Sequence, residues 1–155
     1  MGLMMTGNDK RRASLGAVAI DRGQIHFRSE DYGCCDLNAK DVILIGEYTT
    51  EEGPWIEDHF VVLVTKDWVF EIPVGAKGRD SLLKEIAQMM ETEISLKLLF
   101  STNFASRIIA PASLEGKLLY QFEDVKLPFW RRLFSFPRVA RTLSPDVMNF
   151  LKSTD

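Results

Sequence analysis

Hydrophobic and polar positions alternate in the first part of the chain. Ile25 and Phe27 alternate with Gln24, His26 and Arg28, and 17–20 lies just across Asp21-Arg22-Gly23. Period-two alternation turns one face of a strand inward and leaves the other wet, and glycine in a short connection supplies positive φ. The pattern predicts a β-hairpin over 17–28. A polar stretch follows, 29–40, with no strand assigned to it. Residues 42–50 form a β-branched strand, Glu51-Glu52-Gly53-Pro54 a loop, and 59–65 a nearly continuous apolar strand. Lys66-Asp67 fits a tight turn into a strand over 68–72, which Pro73 ends. Sequential strands with short connections pair antiparallel.

The period then changes from two to 3.6. Leu82, Leu83, Ile86, Met89 and Met90 mark one face of a helix, with Asp80 or Ser81 as its N-cap. Ile94, Leu98 and Leu99 extend a helical reading over 93–100. Two short strands follow, at 107–110 and 117–122. Pro128 opens a short helix that Pro137 ends. Ser144-Pro145 caps a closing helix with Val147, Phe150 and Leu151 on its apolar face. The expected core is Val18, Ile20, Ile25, Phe27, Val42, Leu44, Val61, Leu63, Val69, Leu83 and Ile86. The fold class is therefore α+β: an antiparallel curved sheet or partly open barrel with covering helices. Residues 1–13 are polar and aperiodic and predict a mobile N-terminal arm, leaving 14–155 as one domain.

Composition narrows the class without naming a function. The chain has 155 residues, 46% hydrophobic and 26% charged, a balance that suits a globular fold. No apolar run approaches the ~20 residues of a membrane-spanning helix, and the first residues lack a secretory pattern. A cytoplasmic protein is the expectation. The only cysteines, Cys34 and Cys35, are adjacent, and neighbours make a poor structural disulfide. They read as two small hydrophobes near a turn in a reducing compartment.

Charge is unevenly placed. Residues 1–124 carry a formal charge of -7 and residues 125–155 one of +4. An acidic chain argues against general nucleic-acid binding. The segment 125–141 interleaves Phe129, Trp130, Leu133, Phe134 and Phe136 with Lys126 and four arginines. If 128–135 is helical, Trp130, Leu133 and Phe134 share a face flanked by Arg131 and Arg132. Such a segment suits a protein groove or an anionic membrane surface. The simpler reading is that its aromatics cover the sheet while the arginines reach water.

From Gly53-Pro54-Trp55-Ile56-Glu57-Asp58-His59-Phe60, through Ile72-Pro73 and the helix start at 78–83, to Ser101-Thr102-Asn103-Phe104-Ala105, the chain resembles an uncharacterised family of small bacterial proteins. The resemblance spans about residues 17–108. It implies a sheet-plus-helix module similar to the pleckstrin-homology-like folds, and it supplies no catalytic residue.

Candidate chemistry is sparse. Glu51, Glu52, Glu57 and Asp58 with His59 form an acidic loop, but their spacing matches no calcium loop, and a solvated loop is the simpler reading. Trp55 within it is a candidate partner contact. His26 points to solvent by its alternation, and His59 sits at a strand entrance beside Asp58; neither has the setting of a general base. Glu115-Gly116-Lys117 has the Glu-x-Lys form of metal-dependent nucleases, yet it is also ordinary turn chemistry. Nothing points to a cofactor, a metal site or a catalytic residue. The expected function is a non-catalytic binding or adaptor module with a protein partner, contacting it through Trp55, Trp130, Arg131, Arg132 and Phe134. The alternative is a small metal-dependent hydrolase or nuclease that uses acidic residues.

Overall fold

A computed structural model describes residues 15–50, 59–98, 104–124 and 139–154. Its strands are β1 (Ala17–Asp21), β2 (Gln24–Ser29), β3 (Gly33–Asn38), β4 (Leu44–Thr49), β5 (His59–Val64), β6 (Val69–Pro73), β7 (Ala105–Ala110), β8 (Tyr120–Asp124) and β9 (Val139–Leu143). The helices are α1 (Arg79–Met89) and α2 (Pro145–Ser153). The class is α+β, as the sequence predicts, and all strand pairs within the sheets are antiparallel. The strands form a three-stranded sheet β1-β2-β3, a four-stranded sheet β6-β5-β4-β7 and the two-stranded β8-β9. These sheets curve but remain open rather than closing into a barrel. No helix of the described residues is long and apolar enough to cross a membrane.

The four-stranded sheet is the middle layer because both of its faces are apolar. Every residue of β4 and β5 is buried. Near-continuous apolar runs are what strands covered on both sides require. One face carries Ile45, Val61, Leu63, Ile72 and Ile109, which pack with Val18, Ile25 and Phe27 of the hairpin and with Leu82, Leu83 and Ile86 of α1. The other carries Leu44, Tyr48, Val62, Val64 and Ile108, which pack with Leu119, Tyr120 and Val147. Ile86 is only 1% exposed. Ile86→Ala should therefore lower folding stability by about 2–5 kcal/mol, read by urea unfolding; an unchanged midpoint would mean that α1 packs through a different face.

Several sequence expectations need correction. The polar stretch 29–40 contains β3 and a 3-10 turn over Ala39–Asp41. Cys35 and Leu37 alternate inward there, but cysteine, aspartate and asparagine give little strand signal. Pairing with β2 makes the strand. The helical reading of 93–100 fails for the described part, 93–98, which is irregular. Its backbone amides at Lys97 and Leu98 are instead drawn to the Glu47 carboxylate.

The N-cap of α1 is Gly78 rather than Asp80 or Ser81. Gly78 has φ +88, and a Cβ there would lie 2.1 Å from the Val18 carbonyl oxygen. The close approach lets β1 bond this turn, Val18 N–H donating to Lys77 O at 2.8 Å. Val69 is 38% exposed, not core. The turn at Lys66-Asp67 sets the register, so Phe70 and Ile72 face the three-stranded sheet and Val69 faces the opposite way. Ile20 is partly buried at the margin of the same core. The strand expected over 117–122 begins later, at Tyr120, because 115–117 forms a turn with Gly116 at φ +82.

Candidate partner-binding groove

The residues expected to contact a partner, Trp55, Trp130, Arg131, Arg132 and Phe134, lie outside the described residues. So do Glu51, Glu52, Glu57 and Asp58 of the acidic loop, and the segment 125–138. His59, which follows that loop, opens β5 as expected of a strand entrance, and it is buried. It is 5% exposed and faces Glu47.

Glu47 is fully buried in the centre of β4, on the face that meets the three-stranded sheet. β-Pairing sets it directly opposite Arg107 of β7. Its Oε1 accepts from Arg107 Nε and from the Lys97 amide, both at 2.8 Å. Its Oε2 accepts from His59 Nε2 at 2.8 Å and from the Leu98 amide at 3.4 Å. Burial pushes the Glu47 carboxyl up. The bonds from His59 and Lys97 and the charge of Arg107 outweigh it and hold the group below its ordinary range. An ionised carboxylate only accepts, so Nε2 of His59 carries the proton. Arg107 Nη2 also donates to Ser95 O at 2.8 Å. The cluster ties the irregular segment 91–98 to the sheet.

A second carboxylate is used in the same way on the opposite face. Glu71 of β6 accepts from Tyr48 Oη at 2.5 Å and from Tyr120 Oη at 3.0 Å. Arg141 of β9 grips both oxygens, with Nη2 at 2.8 Å from each. Its guanidinium lies 4.9 Å from the Tyr48 ring centre and 5.7 Å from that of Tyr120, within cation–π range. Burial first, and then the Glu71 carboxylate, raise both tyrosines well above their ordinary values. Arg141 fastens the β8-β9 pair to the four-stranded sheet. The Glu47 cluster is internal, the Glu71–Arg141 pair is partly open to solvent, and both fasten elements of the fold to one another.

The open surface differs. Between the end of β3 and the β5-β6 turn lies a groove of about 930 Å³. Leu37, Ile43 and Phe70 supply its apolar lining, and Lys40, Asp41 and Asp67 are among its polar residues. Trp68 also lines it and is 69% exposed. Trp68, Phe70 and Ile72 occupy alternate positions, so the apolar stripe of the core continues along β6 and emerges as the indole. The turn holds this residue: Trp68 N–H donates to Thr65 Oγ1 at 3.0 Å, and Thr65 N–H donates to Trp68 O at 2.9 Å. The sequence reading placed Trp68 in a strand and gave it no role. The available signal was its position directly after a two-residue turn, where a large side chain stands at a sheet corner.

A second groove, of about 860 Å³, runs along α1 and is lined by Leu83, Ala87, Ile94 and Leu96 with charged residues at its margins. It presents no exposed aromatic anchor. His26 points outward as expected, its Nδ1 2.6 Å from Asp36 Oδ1, while Arg28 Nη2 reaches both Asp36 oxygens at 2.8 and 2.9 Å. These bonds, from His26 first, keep the Asp36 carboxyl below its ordinary range. Cys34 is exposed and Cys35 half-buried, and both are free thiols. Burial pushes the Cys35 thiol up. Glu115 follows the 3-10 turn over Ala112–Leu114 and is exposed. Its neighbour Lys117 pairs with Asp146 at 3.7 Å. No group of three or more metal-ligating side chains converges among the described residues.

The chain matches no protein-family model, no curated protein and no solved structure.

Proposed function

We propose that this chain is a non-catalytic binding module that engages a protein partner through the groove at Trp68. The observation that carries this reading is the 69% exposure of Trp68 at the mouth of a groove with an apolar lining. Tryptophan brings a large rigid contact area with a polar handle, and tryptophans are over-represented among residues that dominate interface energies. Trp68 belongs to neither of the two hydrophobic core clusters. The free cysteines suit a cytoplasmic, reducing setting. The likeness to pleckstrin-homology-like modules supports the reading only as an analogy of architecture.

Selection from a phage-displayed library of short random peptides tests it. Sequences should be enriched on the parent chain and not on Trp68→Ala. The unfolding free energy of that variant, read by urea, should match the parent's within about 0.5 kcal/mol, as surface changes do. An absence of enrichment, or equal enrichment on both chains, would remove the groove as a protein-binding site.

A further inference from the structure

β6 contributes Phe70, and the turn before it Trp68, to the lining of the groove, and among the described residues no strand pairs with its outer edge. β6 is the terminal strand of the order β6-β5-β4-β7. In an antiparallel pair, residues alternate between bonding their neighbour and pointing away from it. Thr65 N–H donates to Trp68 O, and Val74 N–H donates to His59 O. With the observed register, Trp68, Phe70, Ile72 and Val74 therefore bond to the β5 side. Val69, Glu71 and Pro73 bond to nothing in β5 and turn their backbone groups outward. Pro73 has no N–H to lose, which is the setting in which sheets tolerate proline, and its carbonyl accepts from Ala76 N–H at 3.0 Å. Two amides and two carbonyls, those of Val69 and Glu71, remain. Among the described residues, no strand or side chain bonds them.

We infer that this edge receives a short extended segment of the protein partner as an added strand. The inference rests on the reading of the groove as a protein-binding site and states how the partner is held. An added strand supplies to Val69 and Glu71 the donors and acceptors that β5 cannot reach, in the recognition mode where main-chain bonds give affinity and side-chain pockets give selectivity. Alternation fixes the pocket. The partner residue opposite Phe70 points to the same face as Phe70, which is the face that opens into the groove. There it meets Phe70, with Trp68 beside it, so an aliphatic or aromatic side chain is required at that one position.

Charge limits the class further. The lining carries two lysines, Lys40 and Lys66, and three aspartates, Asp36, Asp41 and Asp67, and so lies close to formal neutrality. A partner segment without strong net charge fits this balance. Between the Lys66-Asp67 turn and Pro73 the positions on this face are Trp68, Phe70 and Ile72, of which only Trp68 and Phe70 line the groove, so the partner side chain opposite Phe70 is the one selected.

The test uses the full chain and the tightest phage-selected peptide, synthesised free. Amide hydrogen exchange of the chain should show Val69 and Glu71 unprotected alone and protected with the peptide. N-methylation of each peptide amide in turn should weaken binding about tenfold at positions that bond the edge, the worth of one such bond and its lost partner. Methylation at the alternate positions should leave affinity nearly unchanged. Binding without new protection at Val69 and Glu71, or without that alternation, would overturn strand addition and leave the groove as a side-chain site. Protection already present in the free chain would show an edge occupied by the chain itself or by a second copy, and would also overturn it. A selection that yields no peptide overturns both readings together.

Discussion

Glu47→Ala lowers folding stability by about 3–5 kcal/mol, the range for removing one partner of a buried ion pair. Glu47 has no exposed surface, and the Arg107 side chain opposite is 11% exposed. The variant leaves Arg107 Nε and His59 Nε2 without their acceptor, and the Lys97 and Leu98 amides lose theirs as well. Glu47→Gln preserves shape and one carbonyl acceptor but no charge, so it is expected to fall between alanine and the parent. The pH dependence has a definite sign. The folded-state value is lowered from 4.5, so the fold favours the ionised form. Its stabilisation is complete above about 4.5 and fades as pH falls through the depressed folded value. Urea unfolding of parent and Glu47→Gln over a pH series reads this directly. The gap between them should be constant near neutrality and should narrow in acid. Equal midpoints at neutral pH would show that the cluster contributes nothing.

That cluster also shows why part of the molecule was legible in the sequence and part was not. β2 and α1 were readable because their apolar residues repeat at the period of their own element. β5 was readable as a nearly continuous apolar run, and the turn at Lys66-Asp67 as a polar pair between two apolar stretches. Glu47 was not. It sits in an otherwise apolar strand, and its partners Lys97 and Arg107 lie 50 and 60 residues away along the chain. No local periodicity encodes such a pairing. The same absence explains the failed helix at 93–98. Ile94 and Leu98 fit a helical spacing, but the amides at Lys97 and Leu98 find a buried carboxylate from another element, and tertiary bonding overrides a weak local preference. β3 was missed for a complementary reason. Only Cys35 and Leu37 turn inward among polar neighbours, and the strand depends on pairing with β2. The groove was illegible because Trp68 looks like any apolar residue of a strand until the turn and the register decide which end of the stripe reaches water.

The second large effect is a size exchange across the middle sheet, between Gly46 and Leu119. Leu119 is fully buried over β4, on the face that receives α2. A Cβ at Gly46 would lie 2.6 Å from Leu119 Cδ2 and 3.2 Å from Cδ1. Glycine at this position is thus a matter of room, because the leucine occupies the space that a side chain would need. Leu119→Ala empties that space and should cost about 2–5 kcal/mol, the transfer loss plus the cavity. Gly46→Ala fills an occupied one and should cost about 1–3 kcal/mol by overpacking. The double variant places the new methyl in the new cavity. Its destabilisation should therefore fall below the sum of the two single effects, by a coupling of about 0.5–3 kcal/mol, the range for residues in direct contact. Compensation stays incomplete, because the same Cβ also comes 2.9 Å from the Arg107 carbonyl oxygen, and backbone yields less than a side-chain tip. Four urea unfolding curves complete the cycle. Strict additivity would mean that Leu119 does not lie against Gly46 and that the C-terminal layer docks elsewhere on the sheet.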